Sequence, residues 1–336
     1  MLDREVVMKR LYYLGKPGDG YGWGIANTNL VRELNKLCEC IVDTSECVSF
    51  DAPVFVPVAD SHLNPIRRVK APRVIGYCFT EWPITPEAQR NSELYDVLFS
   101  GSNWNVQRLA EKGIKSEVLH QGVDFERFTP QPASDRKGFV VFSGGKFEFR
   151  KGQDYVIAAM RVFMKEHVDA VLLCSWHNPW PESSQSMNKS WFIADLAKPF
   201  DGLPMERVLN LPSMTNEQLP NVYKLAHVGL FPNRCEAGTN LVMSEFMACA
   251  RPVIATNATG HADVLSGPGP MILETGSTDP AGWFNTNIGD ILYWLEWCYA
   301  NRGDVLHERG LQCRQLIEPF IWEKCARTIY ERAFGL

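Results

Sequence analysis

The stretch FPNRCEAGTNLVMSEFMACARPVIATNATGHADV, residues 231–264, is the most informative part of the chain. The apolar run Val228–Phe231 indicates a strand, Pro232 breaks it, and a Gly-Thr-Asn turn leads into an amphipathic helix. A strand, a small-residue turn and a helix N-terminus form an anion site, because free N–H groups and the helix dipole favour negative charge. Two carboxylates, Glu236 and Glu245, flank this turn, and ionised carboxylates accept hydrogen bonds from hydroxyl groups. The pattern therefore predicts a ligand that carries both phosphate and hydroxyl groups, as a sugar nucleotide does.

The helix of this stretch resembles the signature of retaining glycosyltransferases of family 4, the glycosyl transferases group 1. That family shows a glutamate, seven residues, a second glutamate and then roughly Ala-Met-Ala-Cys-Gly-Arg-Pro-Val. Residues 245–253 read Glu-Phe-Met-Ala-Cys-Ala-Arg-Pro-Val. Eight residues, not seven, separate Glu236 from Glu245, and the extra residue falls in the Ala237–Asn240 loop. The resemblance implies an α/β fold of the GT-B type, with two Rossmann-like doubly wound domains facing a central cleft.

The resemblance covers most of the chain. It includes the Gly-Val-Asp run at 122–124 with the following Phe128, the Leu-Pro…Tyr…Ala-His-Val pattern at 219–228, and the Trp-Glu pair at 322–323. The middle of the N-terminal part, Cys38–Asn64, matches the family poorly. In this family acceptor recognition lies there, so the sequence does not identify the acceptor.

Length and composition indicate a two-domain globular protein. The chain has 336 residues, 45% of them hydrophobic, and a formal net charge of −5, which disfavours nucleic-acid binding because that function requires a concentrated positive surface. No apolar run is long enough to span a membrane, and MLDREVVMKR lacks the apolar core of a signal peptide. With ten scattered cysteines read as free buried thiols, we expect a cytoplasmic protein. The expected domains are an acceptor domain at 1–132, a nucleotide-sugar domain at 137–318, and a C-terminal helix at 319–336 that packs back on the first domain.

Alternating apolar and helical patterns predict β/α units in both halves. The polar stretch Thr129–Lys137 is the predicted linker, and Asn178–Asn188 is a predicted loop. The predicted strands are Arg10–Leu14, Val54–Val58, Val74–Phe79, Asp96–Ser100, Ser116–Leu119, Gly138–Ser143 and Ala170–Ser175. The predicted helices are Ile25–Leu37, Asn103–Lys112, Asp154–Glu166, Glu217–Leu225, Ile288–Asn301, Val305–Gln315 and Trp322–Ala333.

Two lysines follow the predicted strand that opens the second half. Lys146 and Lys151 lie in GGKFEFRKG, residues 144–152, at the carboxyl end of that strand, where doubly wound sheets bind ligands. The family has Gly-Arg-x4-Lys-Gly here, with both cations on the diphosphate. Lys146 replaces the arginine and keeps the charge without the planar fork. Since the chain has no Asp-x-Asp metal motif, these side chains are expected to stabilise the departing diphosphate without a metal. Taken alone, two lysines in a loop are more often part of a solvated surface.

The resemblance also assigns roles around the signature helix. Glu245 would accept hydrogen bonds from the ribose, although a carboxylate near a helix N-terminus also suits the dipole alone. Glu236 would hold hydroxyl groups of the donor sugar. Backbone N–H groups would contact the phosphates, and an ordinary N-cap role for Thr239 or Asn240 is compatible with this. The residues that would offer them are Gly238, Thr239, Asn240 and Leu241.

The N-terminal half supplies two further candidates. The loop Gly18–Gly24, with Gly20 and Gly22, resembles the family's glycine-rich loop, in which glycine lets the backbone approach the donor. A nicotinamide site is a distant alternative, since the spacing departs from Gly-x-Gly-x-x-Gly and no acidic residue ends a clear second strand. Glu81 follows a predicted strand and would contact the donor sugar or the acceptor hydroxyl, although a salt bridge within the loop to Arg73 or Arg90 suits it equally.

The sequence therefore predicts a retaining, metal-independent glycosyltransferase without a bound cofactor. Its donor would be a UDP- or GDP-linked hexose, and its acceptor a carbohydrate or a lipid-linked hydroxyl compound. A basic cluster suits either a solvated surface or a peripheral contact with the inner face of a membrane. Two alternatives stay open: a sugar-nucleotide epimerase on the same fold, and an inactive module that binds sugar nucleotides or glycans. The predicted catalytic residues are Glu236, Lys151, Lys146 and Glu81, and the basic cluster comprises Arg67, Arg68, Lys70 and Arg73.

Overall fold

A computed structural model describes residues 8–58, 60–132, 137–177, 200, 202–279 and 281–336. The described chain divides into two compact units, one formed by residues up to Gly122 together with Phe320–Leu336, the other by Val123–Pro319. The predicted bounds at 132 and 137 stay a prediction, and residues 133–136 between them lie outside the described residues. The predicted loop Asn178–Asn188 also lies outside them.

The first unit holds a sheet of six strands: β1 (Arg10–Tyr13), β2 (Glu39–Val42), β3 (Val54–Val58), β4 (Val74–Cys78), β5 (Val97–Ser100) and β6 (Glu117–Val118). The strand order is β2-β1-β3-β4-β5-β6, and every pair is parallel. All five residues of β3 and of β4 are buried, as expected of central strands covered on both faces.

The second unit holds another sheet of six strands: β7 (Phe139–Lys146), β8 (Ala170–His177), β9 (Val208–Asn210), β10 (Val228–Phe231), β11 (Val253–Thr256) and β12 (Met271–Leu273). The order is β12-β11-β10-β7-β8-β9, again parallel throughout. From β7 the chain continues to β8 and β9 on one side of the sheet. From β10 it continues to β11 and β12 on the other side. This reversal of strand order is where doubly wound sheets bind ligands, at the carboxyl ends of the strands. The predicted doubly wound α/β fold is confirmed.

The predicted helices fall close to their predicted positions and differ mainly at their ends, whereas the helix Pro86–Ser92 was not predicted. The first begins at Gly22, inside the glycine-rich loop, and the last, Trp322–Phe334, packs against it in the first unit. A short antiparallel pair, Thr275–Thr278 with Phe284–Thr286, follows the second sheet. The helices in the described residues are Gly22–Leu34, Pro86–Ser92, Asn103–Ala110, Gln153–Glu166, Leu219–Tyr223, Leu241–Ala248, Ile288–Ala300, Asp304–Ile317 and Trp322–Phe334.

Strand β2 lies in the segment where the sequence predicted none. Its four residues include a glutamate and a cysteine, so no apolar run marks it. Asp43 directly follows β2, so an acidic residue does end a second strand. The prediction that none does was wrong. The carboxylate of Asp43 accepts a hydrogen bond from Arg67 (Nη2–Oδ1 3.0 Å), and the glycine spacing still departs from the nicotinamide pattern.

All ten cysteines are free, and nine of them are buried, with Cys47 exposed. Burial raises the pKa of most of these thiols, for example that of Cys78 to about 12, so they pack as small apolar side chains. Within the described ranges, no helix combines the length and the apolar character that crossing a bilayer would need.

Gly122 tests the packing of the last helix. A Cβ at this position would lie 2.2 Å from the backbone nitrogen of Trp322, so the helix must shift to admit it. We expect Gly122→Ala to cost about 1–3 kcal/mol of stability in the first unit and to speed amide hydrogen exchange in Trp322–Phe334. Gly20→Ala, which adds a Cβ with no atom within 4 Å, is the control. Equal exchange in both variants would contradict this packing.

Candidate functional site

The segments that carry the predicted ligand-binding residues lie at the carboxyl ends of β7 and β10. Lys146 is the last residue of β7, and a short 3-10 turn, Phe149–Lys151, follows it. The loop after β10 carries Glu236 and leads into the helix Leu241–Ala248. Because β7 and β10 are hydrogen-bonded neighbours at the reversal of strand order, both segments border the position where such sheets bind ligands.

Gly152 allows these two segments to approach each other. Its φ is +71°, and a Cβ here would lie 2.2 Å from the carbonyl oxygen of Pro232. The backbone N–H of Arg234 donates to the carbonyl of Arg150 at 2.7 Å. The glycine after Lys151 is therefore required by packing as well as by the motif.

Glu236 is a buried carboxylate that three donors hold. Lys151 Nζ lies 2.5 Å from Oε1, and Arg150 Nη1 lies 3.1 Å from Oε2. Asn233 Nδ2 also donates to Oε1. Burial alone would raise the pKa of Glu236, but Lys151 and Arg150 outweigh burial and lower it to about 2. Glu236 is therefore ionised at neutral pH and can only accept hydrogen bonds.

Arg150 is a third cation beside Lys146 and Lys151, and it was not among the predicted site residues. Its Nε donates to Oε2 of Glu148 at 2.6 Å, and Lys146 pairs with the other oxygen of this buried carboxylate. Burial would raise the pKa of Glu148, but Arg150 and Lys146 lower it. Lys146, Arg150 and Lys151 thus carry three positive charges against the two negative charges of Glu148 and Glu236. We call these five residues the cation cluster; its net charge is +1.

The turn before the helix Leu241–Ala248 presents backbone donors. Asn240 caps the helix: its φ is +62°, and its Oδ1 accepts from the N–H of Met243 at 3.4 Å. Gly238 and Thr239 are buried, and within the part of the chain that the structure describes their N–H groups make no hydrogen bond to the protein. Buried N–H groups at a helix N-terminus are suited to an anion.

A neighbouring segment fixes the position of this turn. The N–H of Glu236 donates to Thr259 Oγ1 at 3.0 Å, and the N–H of Gly260 donates to the carbonyl of Glu236 at 2.8 Å. A Cβ on Gly260 would lie 1.9 Å from the carbonyl oxygen of Gly238. The backbone of the turn is thus in direct contact with Gly260 and cannot move toward it.

His261 orients the side chain of Asn240. Its Nδ1 lies 3.1 Å from the carbonyl oxygen of Thr256, which can only accept, so Nδ1 carries the proton. Its Nε2 then accepts from Asn240 Nδ2 at 3.1 Å, which turns the amide oxygen of Asn240 toward the helix. Burial lowers the pKa of His261 to about 4, against the opposing charge of Glu236, so this neutral tautomer holds at neutral pH. No motif in the sequence marked this residue.

Glu245 lies in a separate polar cluster. Asn216 Nδ2 donates to its Oε1 at 2.8 Å, and Tyr223 Oη lies 3.5 Å from its Oε2. Arg127 reaches the cluster through Asn216 (Nη1–Oδ1 2.6 Å). Burial raises the pKa of Glu245 to about 8, although Asn216 and Arg127 partly counter it. Unlike Glu236, this carboxyl keeps its proton at neutral pH.

The remaining predicted residues belong to the first unit. Gly20 and Gly22 are exposed, and a Cβ on either would meet no atom within 4 Å, so the packing of this unit does not require glycine there. Glu81 follows β4, and Arg108 Nη1 donates to the backbone carbonyls of Thr80 (3.2 Å) and Glu81 (3.3 Å). The structure thus groups Lys146, Lys151 and Glu236, places the turn at 238–241 beside them, and gives Glu245 a different environment. The site roles of all these residues stay predictions.

Glu245 gives a pH-dependent prediction. Because its pKa is raised from 4.5 to about 8, the folded protein keeps a proton that the unfolded chain loses between these values. The contribution of this carboxyl to the free energy of unfolding therefore falls as pH rises from about 4.5 to about 8. We expect Glu245→Gln, which cannot ionise, to gain stability relative to the wild type between pH 5 and pH 8 in urea denaturation. Glu166→Gln, on an exposed side chain, is the control. Parallel pH profiles for Glu245→Gln and the wild type would contradict this environment.

A family model matches the part of the chain that holds Lys146, Lys151, Glu236 and Glu245. Residues 138–285 match the family model described as glycosyl transferases group 1. The chain is 26% identical over 257 residues to the GDP-mannose-dependent alpha-(1-6)-phosphatidylinositol monomannoside mannosyltransferase of Mycolicibacterium smegmatis, covering 68% of this chain and 64% of that protein. It is 30% identical over 152 residues to the D-inositol 3-phosphate glycosyltransferase of Mycobacteroides abscessus, covering 43% of this chain and 32% of that protein. The chain thus spans less than two thirds of the length of these relatives.

Solved structures share the fold over nearly the whole chain. Sucrose-phosphate synthase from Thermosynechococcus elongatus superposes with a TM-score of 0.70 at 15% identity, covering 97% of this chain and 99% of that one. Anabaena Alr3699/HepE in complex with UDP and glucose gives 0.68 at 13% identity, covering 98% and 100%. The resemblance found in the sequence is thereby confirmed to this extent: residues 138–285 match glycosyl transferases group 1, and the chain has the GT-B fold.

Proposed function

We propose that the chain is a glycosyltransferase that moves a hexose from a nucleotide diphosphate-sugar to a hydroxyl acceptor. The reaction would retain the anomeric configuration and need no metal. One observation carries the proposal: the cation cluster lies at the reversal of strand order, beside a helix N-terminal turn whose N–H groups at Gly238 and Thr239 have no partner among the described residues.

The cation cluster suits a diphosphate leaving group. As the bond between the sugar and the phosphate breaks, negative charge develops on the departing diphosphate, and fixed donors aimed at it lower the barrier. Lys146, Arg150 and Lys151 would supply the charge, and the N–H groups of Gly238 and Thr239 would supply the dipoles. Since buried carboxylates already hold all three of these cations in place, little reorganisation is needed when the donor binds.

The two glutamates would have different tasks. Glu236 is ionised and beside Lys151, so it would accept hydrogen bonds from sugar hydroxyls and stabilise positive charge that develops on the ring. Glu245 keeps its proton in the structure. Its binding to ribose hydroxyls would therefore require either a change of partners or loss of that proton on binding.

Donor and acceptor classes follow from the sequence and from the names of the relatives. One relative is named as GDP-mannose-dependent, and one structural neighbour was solved with UDP and glucose, so UDP- and GDP-hexoses are the donors to test first. Phosphatidylinositol and inositol phosphate occur in the names of two relatives, which supports a carbohydrate or lipid-linked acceptor. Arg68 and Lys70 are exposed, whereas Arg67 pairs with Asp43. A peripheral membrane contact through that face, in the cytoplasm, is part of the proposal.

A donor screen tests the proposal. Release of free nucleotide diphosphate would be measured with UDP- and GDP-hexoses, with chelator, and with and without a pool of sugar and lipid-linked acceptors. We expect release that persists in chelator and rises with one acceptor class. An epimerase would instead invert the sugar without using an acceptor, and a binding module would bind nucleotide without any release; either result would contradict the proposal.

Two lysine variants make this screen specific to the site. Lys151→Ala is expected to lose at least about 100-fold in turnover, the usual effect of removing one charge-stabilising donor, and Lys151→Arg to recover part of it. Lys165→Ala, on an exposed lysine of the helix Gln153–Glu166, is the matched control. Normal turnover in Lys151→Ala would contradict the proposal that the cation cluster stabilises the diphosphate.

A further inference from the structure

A small cavity lies at the end of the second sheet that is opposite to the cation cluster. His227 precedes β10 and Pro252 precedes β11, so the cavity borders the amino ends of these strands. Its volume is about 20 Å³, enough for one particle of about the size of a water molecule. The residues that line it are His227, Ala250, Arg251, Pro252, Gly303, Leu306 and His307.

Arg251 brings a buried positive charge to this cavity. Its side chain is 2% exposed, and its Nη2 donates to the carbonyls of Pro132 (2.7 Å) and Lys224 (3.0 Å). Its Nε is buried and, within the described residues, has no hydrogen-bond partner. Burial lowers the pKa of Arg251 to about 10, so the group is charged at neutral pH. Among the described residues, none that lines the cavity is acidic, and a buried charge without a counter-charge is costly.

Two histidine rings add donors. The N–H of Val140 donates to Nδ1 of His227 at 3.0 Å, so a neutral His227 carries its proton on Nε2. The Nδ1 of His307 is also buried and has no partner among the described residues, so it can carry a proton that points to a ligand. Each ring can therefore donate a hydrogen bond.

The backbone around the cavity adds positive potential. The helix Asp304–Ile317 begins here, after Gly303, and no side chain among the described residues caps it; its one first-turn acid, Asp304, is exposed. The N-terminal N–H groups and the helix dipole favour negative charge. The carbonyl of Gly303 already accepts a hydrogen bond from the backbone N–H of His307 (2.9 Å), and the carbonyl of Pro252 accepts one from the backbone N–H of Gly229 (3.0 Å). A water molecule needs acceptors for its own protons, whereas an anion only accepts. A set of donors beside an unpaired cation therefore favours an anion.

We propose that this cavity binds one monatomic anion of the size and charge of chloride, held by Arg251 Nε, His227 and His307 at the start of the helix Asp304–Ile317. The anion supplies a counter-charge to Arg251, and it joins this helix to the amino ends of β10 and β11. This site is independent of the proposed transferase activity, because it lies at the other end of the sheet.

Thermal unfolding of the full chain tests this site. Chloride would be varied against gluconate at constant ionic strength, so that screening stays fixed. An anion that binds only the folded state raises the transition temperature progressively once the anion concentration exceeds its dissociation constant. We expect chloride and bromide to raise it, and His307→Ala to weaken the apparent chloride affinity at least tenfold. His62→Ala, on a histidine of the first unit that bonds Thr85, should respond as the wild type does.

Arg251 variants can fail to fold, so a second measurement addresses the arginine directly. In crystals grown with bromide, we expect an anomalous peak within hydrogen-bonding distance of Arg251 Nε and His307 Nδ1. Three results would overturn the proposal: no chloride dependence in the wild type, the same dependence in His307→Ala, or an ordered water in place of bromide.

Discussion

The rest of the site depends on the buried carboxylate of Glu236. A carboxylate at this depth is stable only if cations and donors surround it, and here they come from a different segment, through Arg150 and Lys151. That pairing brings the turn after β7 against the loop after β10, and glycine at 152 and 260 allows the close backbone contacts. The same ion pairs that stabilise the buried charge thus hold lysine and arginine side chains at the position where doubly wound sheets generally bind ligands.

Two carboxylates of one signature motif differ in charge because their surroundings differ. Glu236 is ionised by Lys151 and Arg150, and Glu245 is kept neutral by burial with only amide and hydroxyl groups on its oxygens. Such a difference between neighbouring acids usually accompanies different roles in one reaction. If both glutamates contact the donor as proposed, its binding depends on pH through Glu245 rather than through Glu236.

The sequence predicted what depends on local pattern and did not predict what depends on distant contacts. Strands such as Val54–Val58 and the signature helix follow from apolar runs and turn residues, and their positions agree with the structure. The strand Glu39–Val42 was missed because four mixed residues carry no apolar run. Arg150 and His261 were missed for another reason: their partners Glu236 and Asn240 lie 86 and 21 residues away, and no spacing rule connects them.

The central claim is that the cation cluster and the turn at 238–241 bind a diphosphate. The most direct test is a crystal structure of the full chain with UDP or GDP. The account predicts that phosphate oxygens accept hydrogen bonds from Lys151 and from the N–H groups of Gly238 and Thr239, with Glu236 still ionised beside them. A nucleotide whose phosphates lie elsewhere, with Lys151 bonded only to Glu236 and the turn unoccupied, would contradict it.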